Sequence, residues 1–205
     1  MKRFVDIVIA SIAILFLSPV FLFVAYKVRK HLGSPIFFCQ ERPGKDGKIF
    51  KMIKFRSMKN ALDAQGNLLP DEQRITSFGQ KLRATTLDEM PQLFNVLKGD
   101  MSIVGPRPQM PEFLEYYTTD QMRRHEVKPG MTGLAQVSGR NNLSWEEKFN
   151  LDVQYVENHN ILLDFKIMLK TVDVMLKREG INAPNQTVGS SRFTGSESQS
   201  SSTLK

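Results

Sequence analysis

The sequence predicts a mixed α/β fold, mainly helical, led by a long apolar N-terminal helix. Three observations carry that expectation. The run from Ile7 to Tyr26 contains no charge, a strand–turn–strand pattern lies between Ile36 and Phe55, and helical spacing of apolar residues dominates much of the chain beyond Phe55. At 205 residues the chain has room for one domain with an appendage and can bury a sizeable core. A hydrophobic content of 41% and a charged content of 24% exclude wholesale disorder and a polytopic membrane protein. The single cysteine, Cys39, excludes an intrachain disulfide framework and an all-cysteine metal cage. His31, His125 and His159 are too far apart for a local ligand motif. His125-Glu126 opens like a zinc-peptidase helix, but Pro129 stands where the second histidine would be.

The twenty residues Ile7 to Tyr26 would cover about 30 Å of hydrocarbon as a helix. They end at Val24-Ala25-Tyr26-Lys27, a poor cleavage site for a signal peptide. Lys2-Arg3 and Lys27, Arg29 and Lys30 flank the run on both sides, so the positive-inside rule assigns no orientation. Ser18-Pro19 lies inside the run. Proline removes one backbone donor and crowds the preceding turn, bending or breaking a helix, and the Ser18 hydroxyl is a local donor for the carbonyl freed near Leu15. A spanning helix and a re-entrant one hinged at Ser18-Pro19 both fit these residues.

Beyond Gly33-Ser34-Pro35, a short strand is expected at Ile36–Phe38, a turn at residues 41–48 and a second strand at Ile49–Phe55, together a hairpin. Residues 59–73 read as a loop or short helix, and 74–86 as holding a short helix up to Arg83. Apolar residues at 90, 93, 94 and 97 predict a helix with Pro91 in its first turn, stopped by Lys98-Gly99-Asp100. A strand at Met101–Val104 leads into Gly105-Pro106-Arg107-Pro108. Helices are expected over 111–124, 145–158 and 161–178, with a glycine-punctuated loop over 128–142. The division is a membrane helix at 1–32, a globular domain at 33–188 and a flexible serine-rich tail at 189–205.

Charge is unevenly placed. The net charge is +7, yet residues 1–60 hold 12 Lys/Arg against 3 Asp/Glu. A basic surplus beside an apolar run suits anionic lipid headgroups, phosphates or nucleic acid. Asp88-Glu89 stands at the start of a helix, where amides and macrodipole should lower the Asp88 pKa and keep it ionised. Such a carboxylate serves as nucleophile, base or hard-metal ligand, though alone Asp88 reads first as a helix cap and Glu89 as a first-turn acid. Candidate phosphate ligands are Lys54, Arg56, Arg83, Arg107 and Arg140. Arg107 is stiffened by Pro106 and Pro108, and Arg140 with Asn141 follows Gly139 in the glycine-rich loop. No Walker A or GxGxxG signature is present.

Taken in order, these strings resemble the bacterial sugar transferase family, the small monotopic phosphoglycosyl transferases. The resemblance runs from about Lys2 to Gly189. It rests on the basic-flanked helix with Ser18-Pro19, Gly33-Ser34-Pro35-Ile36-Phe37-Phe38, Gln40-Glu41-Arg42-Pro43-Gly44 and Lys54-Phe55-Arg56-Ser57-Met58. It continues in Leu87-Asp88-Glu89-Met90-Pro91-Gln92-Leu93, Leu97-Lys98-Gly99-Asp100-Met101-Ser102, Val104-Gly105-Pro106-Arg107-Pro108, Lys128-Pro129-Gly130-Met131-Thr132-Gly133 and Gly139-Arg140-Asn141. Ser57 replaces a common threonine and Met90 a common leucine.

The resemblance implies transfer of a sugar 1-phosphate from a UDP-sugar to undecaprenyl phosphate, with release of UMP. Asp88 would be the nucleophile of a ping-pong reaction through a phosphosugar–aspartyl intermediate, and Asp88 and Glu89 would hold Mg2+. Arg107 would bind the nucleotide, Arg83 a phosphate, and Lys54, Arg56, Arg140 and Asn141 the same pocket. A re-entrant helix at the bacterial inner membrane, with interfacial amphipathic helices, would keep the small catalytic domain on the cytoplasmic face among membrane lipids. No nucleic acid partner is expected. The rival readings are a membrane-anchored nucleic-acid-binding module, with Gly130-Met131-Thr132-Gly133 as a backbone clamp, a UDP-sugar glycosyltransferase or hydrolase, and a purely structural anchor protein.

Overall fold

The computed structural model describes residues 1–139, 142–177, 193 and 195. Helix α1 (Lys2–Leu32) carries Pro19 inside its helical run. The Ser18 hydroxyl donates to the Leu15 carbonyl at 2.8 Å, supplying the partner that proline takes away. Only 11% of the most apolar 18-residue stretch of α1 is buried.

What is buried on α1 lies towards its two ends. Ala10 joins Met52, Leu93, Val96 and Met101 in one core cluster, and Val24 and Val28 join Phe55, Leu82 and Met90 in a second. Polar clasps reinforce the first of these. Lys2 donates to Asp164 at 2.6 Å and to the Val104 carbonyl, while Arg3 reaches the Val96 and Leu97 carbonyls. The buried Asp6 carboxylate accepts from the Ser102 hydroxyl at 2.9 Å and from the Ile103 amide. The first basic flank is therefore spent partly on tertiary contacts.

Strands β1 (Phe37–Pro43) and β2 (Ile49–Phe55) form the expected antiparallel hairpin, with Phe37 opposite Phe55 and Pro43 opposite Ile49. The first strand is longer than its sequence signal, because pairing carries it through Glu41-Arg42-Pro43 and leaves only Gly44–Lys48 as the turn. Short helix α2 (Asp71–Arg74) precedes α3 (Ser77–Ala84), whose N-terminus is capped by Thr76. A 3₁₀ turn at Leu87–Glu89 leads into α4 (Gln92–Lys98), ended by Gly99 at φ 99°.

Strand β3 (Ser102–Val104) pairs in parallel with β4 (Gly130–Thr132). A side chain at Gly130 would sit 2.1 Å from the Gly105 amide nitrogen, so this pairing excludes one. The single helix expected over 111–124 is instead three short pieces: a 3₁₀ turn at Pro111–Glu115, α5 (Thr119–Met122), and a 3₁₀ turn at Arg123–His125. The α5 break has a visible cause, since Thr118 and Gln121 form a capping box that starts a new helix there. The 128–142 segment, read as a loop, contains β4 and then α6 (Leu134–Ser138).

Helices α7 (Trp145–Asn158) and α8 (Ile161–Lys177) come next, as expected, α7 opened by a Ser144–Glu147 capping box. Helix α8 buries Asp164, Ile167 and Val174 but exposes Leu162, Phe165, Leu169 and Val172. Most of the 189–205 tail lies outside the described residues. Phe193, one of the described residues, is buried against Phe113, Tyr117, Trp145 and Phe149.

Candidate active site

Asp88 and Glu89 occupy the 3₁₀ turn between α3 and α4. The turn is entered through Thr86 at φ 59°, a left-handed conformation that a β-branched residue seldom adopts and that costs on the order of 1 kcal/mol. The two adjacent carboxylates then meet different surroundings.

Glu89 is a hub for cations. Its Oε1 accepts from Lys54 Nζ at 2.7 Å and from Arg107 Nη2 at 2.6 Å, and its Oε2 from Arg107 Nη1 at 3.2 Å. Burial alone would raise the Glu89 pKa, but Arg107 and Lys54 outweigh it and hold the carboxyl well below the usual range. Lys54 comes from β2 and Arg107 from the turn after β3, so Glu89 ties three distant segments together.

Asp88 is the opposite case. It is buried, and burial together with the Glu89 charge pushes its pKa up to about 6 against the pull of Lys54 and Arg83. The sequence expectation that the helix terminus would depress this pKa is corrected: desolvation and a like charge dominate over the short α4 dipole. The pair is therefore split into a clamped, ionised Glu89 and an Asp88 of raised basicity.

The candidate phosphate ligands separate in the same way. Arg83 is exposed at the end of α3, its Nε donating to Ser57 Oγ at 2.9 Å. Arg107 keeps 43% of its side chain exposed while gripping Glu89, and Pro106 and Pro108 on either side are buried. Arg56 departs from the expectation. It is buried, and its guanidinium donates to the carbonyls of Ser34 and Leu32, closing the C-terminal end of α1 rather than joining the Glu89 cluster. Arg140 and Asn141 lie outside the described residues.

Two features were missed from sequence. Arg42 on β1 has its pKa lowered to about 10, first by burial and then by the neighbouring positive charge of Arg107, so cationic charge is concentrated beyond what Glu89 neutralises. Arg124 is buried and its Nη2 donates to the Arg107 carbonyl at 2.7 Å. Arg124 carries no local motif, and the Gln40-Glu41-Arg42-Pro43-Gly44 string gave Arg42 no role; the tertiary fold brings both towards Arg107.

Among the described residues no group of three or more His, Cys, Asp or Glu could cage a metal ion. Magnesium commonly binds through one or two carboxylates plus substrate phosphates, and Asp88 fits that mode. Glu89 fits it less well, because both its oxygens already serve Lys54 and Arg107.

Asp88 thus combines burial and a raised pKa with the charges of Lys54 and Arg83 nearby, a combination that marks a candidate functional site. Comparison with known proteins agrees. The family described as bacterial sugar transferase matches residues 1–178, and the chain belongs to that family. It is 51% identical over 201 residues to the uncharacterized sugar transferase EpsL of Bacillus subtilis, covering 98% of this chain and 99% of that protein. It is 41% identical over 197 residues to the undecaprenyl-phosphate galactose phosphotransferase of Salmonella typhimurium, covering 88% of this chain and 41% of that one. The UDP-glucose:undecaprenyl-phosphate glucose-1-phosphate transferase of Klebsiella pneumoniae is 40% identical over 182 residues, covering 83% of this chain and 39% of its own length. The chain thus spans nearly all of the first relative and about two fifths of the other two.

Proposed function

We propose that this chain is a phosphoglycosyl transferase that moves a sugar 1-phosphate from a UDP-sugar to undecaprenyl phosphate, as a first membrane step of glycan or polysaccharide synthesis. The named activities of the Salmonella and Klebsiella relatives support the substrate classes. The observation that carries the mechanism is the split pair, Asp88 raised in basicity beside a Glu89 locked to Lys54 and Arg107.

In the first half-reaction an Asp88 carboxylate oxygen bonds to the β-phosphorus, and the phosphoanhydride bond to UMP breaks with its electron pair leaving on UMP. A phosphosugar–aspartyl ester remains. In the second, an oxygen of undecaprenyl phosphate bonds to the same phosphorus and the Asp88 carboxylate departs, giving the lipid diphosphate sugar. Arg107, Arg83 and Lys54 neutralise the diphosphate, and Glu89 holds Arg107 and Lys54 in place for it. Mg2+ held by Asp88 and the phosphates would add charge neutralisation when bound. With its pKa pushed up to about 6, Asp88 is ionised near neutral pH yet more basic than an ordinary aspartate.

We further propose a re-entrant, monotopic placement on the cytoplasmic face of the inner membrane. Both ends of α1 support it, since Lys2 and Arg3 at one end and Val28 and Leu32 at the other all contact the same globular body. A spanning helix would carry Lys2 about 30 Å away, across the hydrocarbon. The middle of α1 instead presents Ile12, Leu15, Phe16, Val20 and Phe23 outward, and α8 adds its own exposed apolar face.

The test is nucleotide release by the purified protein with Mg2+, undecaprenyl phosphate and a panel of UDP-sugars, run beside Asp88→Asn. UMP from one donor, absent in the variant, is expected. UDP would mean that the glycosidic bond breaks and the assignment is wrong. The nucleic-acid rival loses its motif, because Gly130–Thr132 is spent on pairing with β3.

A further inference from the structure

Arg124 shares one buried knot with Asp152, Tyr117 and the backbone of Arg107. Its Nε and Nη2 donate to Asp152 Oδ2 at 3.1 and 2.7 Å, its Nη1 to the Tyr117 hydroxyl at 2.8 Å, and its Nη2 also to the Arg107 carbonyl at 2.7 Å. The Arg124 and Asp152 side chains are 1% and 4% exposed. Tyr117 and Phe149 stack their rings 5.4 and 5.3 Å from the guanidinium. The next residue, His125, engages the Gly44 carbonyl through Nδ1 at 3.0 Å. One 3₁₀ turn thus binds both the hairpin tip and the turn that carries Arg107.

A solvated surface arginine would do none of this. Burying a charged pair is costly, and a hydrophobic pair of similar volume could fill the same space. What the guanidinium adds is a directed donor to one particular carbonyl, that of Arg107, whose side chain grips Glu89. We infer that the Arg124–Asp152 pair is a positioning device for Arg107: it fixes the Pro106-Arg107-Pro108 turn so that the guanidinium faces the donor's diphosphate. Arg124 and Asp152 themselves are positioning residues, not catalytic ones. The functional arm of this inference rests on the nucleotide-sugar reading; the structural arm does not.

The experiment uses the full chain in detergent or nanodiscs, with UDP plus Mg2+ as the probe. Wild type, Arg124→Lys, Arg107→Ala and the double variant are compared for UDP affinity, and hydrogen exchange is followed at residues 105–109 and in α3. Tyr117→Phe, which removes one bond from Arg124, is the milder variant should Arg124→Lys fail to fold. Exchange at 105–109 is expected to rise on the order of tenfold while α3 is unchanged, and UDP affinity to fall by a similar factor. In the Arg107→Ala background the Arg124 change should cost nothing further, a non-additivity that a merely structural residue would not show. Unchanged exchange at 105–109 in a folded variant, or fully additive affinity losses, would overturn the inference. Looser exchange with no UDP binding by wild type would keep the positioning device and refute the nucleotide reading instead.

Discussion

Asp88 and Glu89 are chemically near-identical neighbours, and their different roles come entirely from what surrounds them. Asp88 has a folded-state pKa of about 6, above the ordinary value of 3.8, so folding favours its protonated form. Its ionisation then costs stability as pH rises from about 4 through 6, and the cost persists above that. Asp88→Asn is expected to abolish UMP release yet stabilise the fold at pH 7.5 by on the order of 2 kcal/mol, a gain that vanishes near pH 4. Thermal melts of the two proteins at both pH values check this, and an equal or lower melting temperature at pH 7.5 would contradict it. The same ionisation governs rate. UMP formation should fall about tenfold per pH unit below roughly pH 6 as Asp88 protonates. Sequence alone showed that this dyad precedes a helix, but not which member is clamped. Lys54 and Arg107 stand 35 and 18 residues from Glu89, and only folding brings them there.

At the scale of elements, the hairpin and the helices at both ends of the chain were legible, and the segments over 111–124 and 128–142 were not. The helix expected over 145–158 is α7 to the residue, and the structure adds the Ser144–Glu147 capping box that starts it. Strand β3 is expected at Met101–Val104, but its partner β4 is too short for alternation to register, and their pairing is recorded only in glycines that let two backbones meet. Arg56, Arg83 and Arg124 look alike in sequence, yet one closes α1, one stays exposed beside Asp88 and one is buried beneath Arg107. Burial of an arginine depends on a distant Asp152 or a distant carbonyl, which no local pattern reports. Within the serine-rich stretch, Phe193 takes a place in a core cluster that composition does not announce. Phe193→Ala should destabilise the fold by about 3 kcal/mol, read by chemical denaturation. A change within experimental error would show that its aromatic contacts carry no stability.

For the whole molecule, the length and hydropathy of α1 announced a membrane helix, while its orientation was open because both flanks are basic. The geometry on which our proposal rests is that the two ends of α1 are fastened to one body, with an apolar middle left outward. In a Cys39→Ser background, single cysteines placed at residues 2 and 31 should be labelled by a membrane-impermeant reagent from the same side of oriented vesicles. Labelling from opposite sides would mean that α1 spans the bilayer and undocks at one end.

The proposed mechanism turns on Asp88 forming a bond to phosphorus. Intact-protein mass spectrometry after brief incubation with the productive UDP-sugar and Mg2+, without lipid acceptor, measures this directly. The expected result is a mass increase equal to one sugar phosphate, absent in Asp88→Asn and discharged on adding undecaprenyl phosphate. An unmodified protein, with UMP released only when donor and acceptor are both present, would contradict the covalent mechanism.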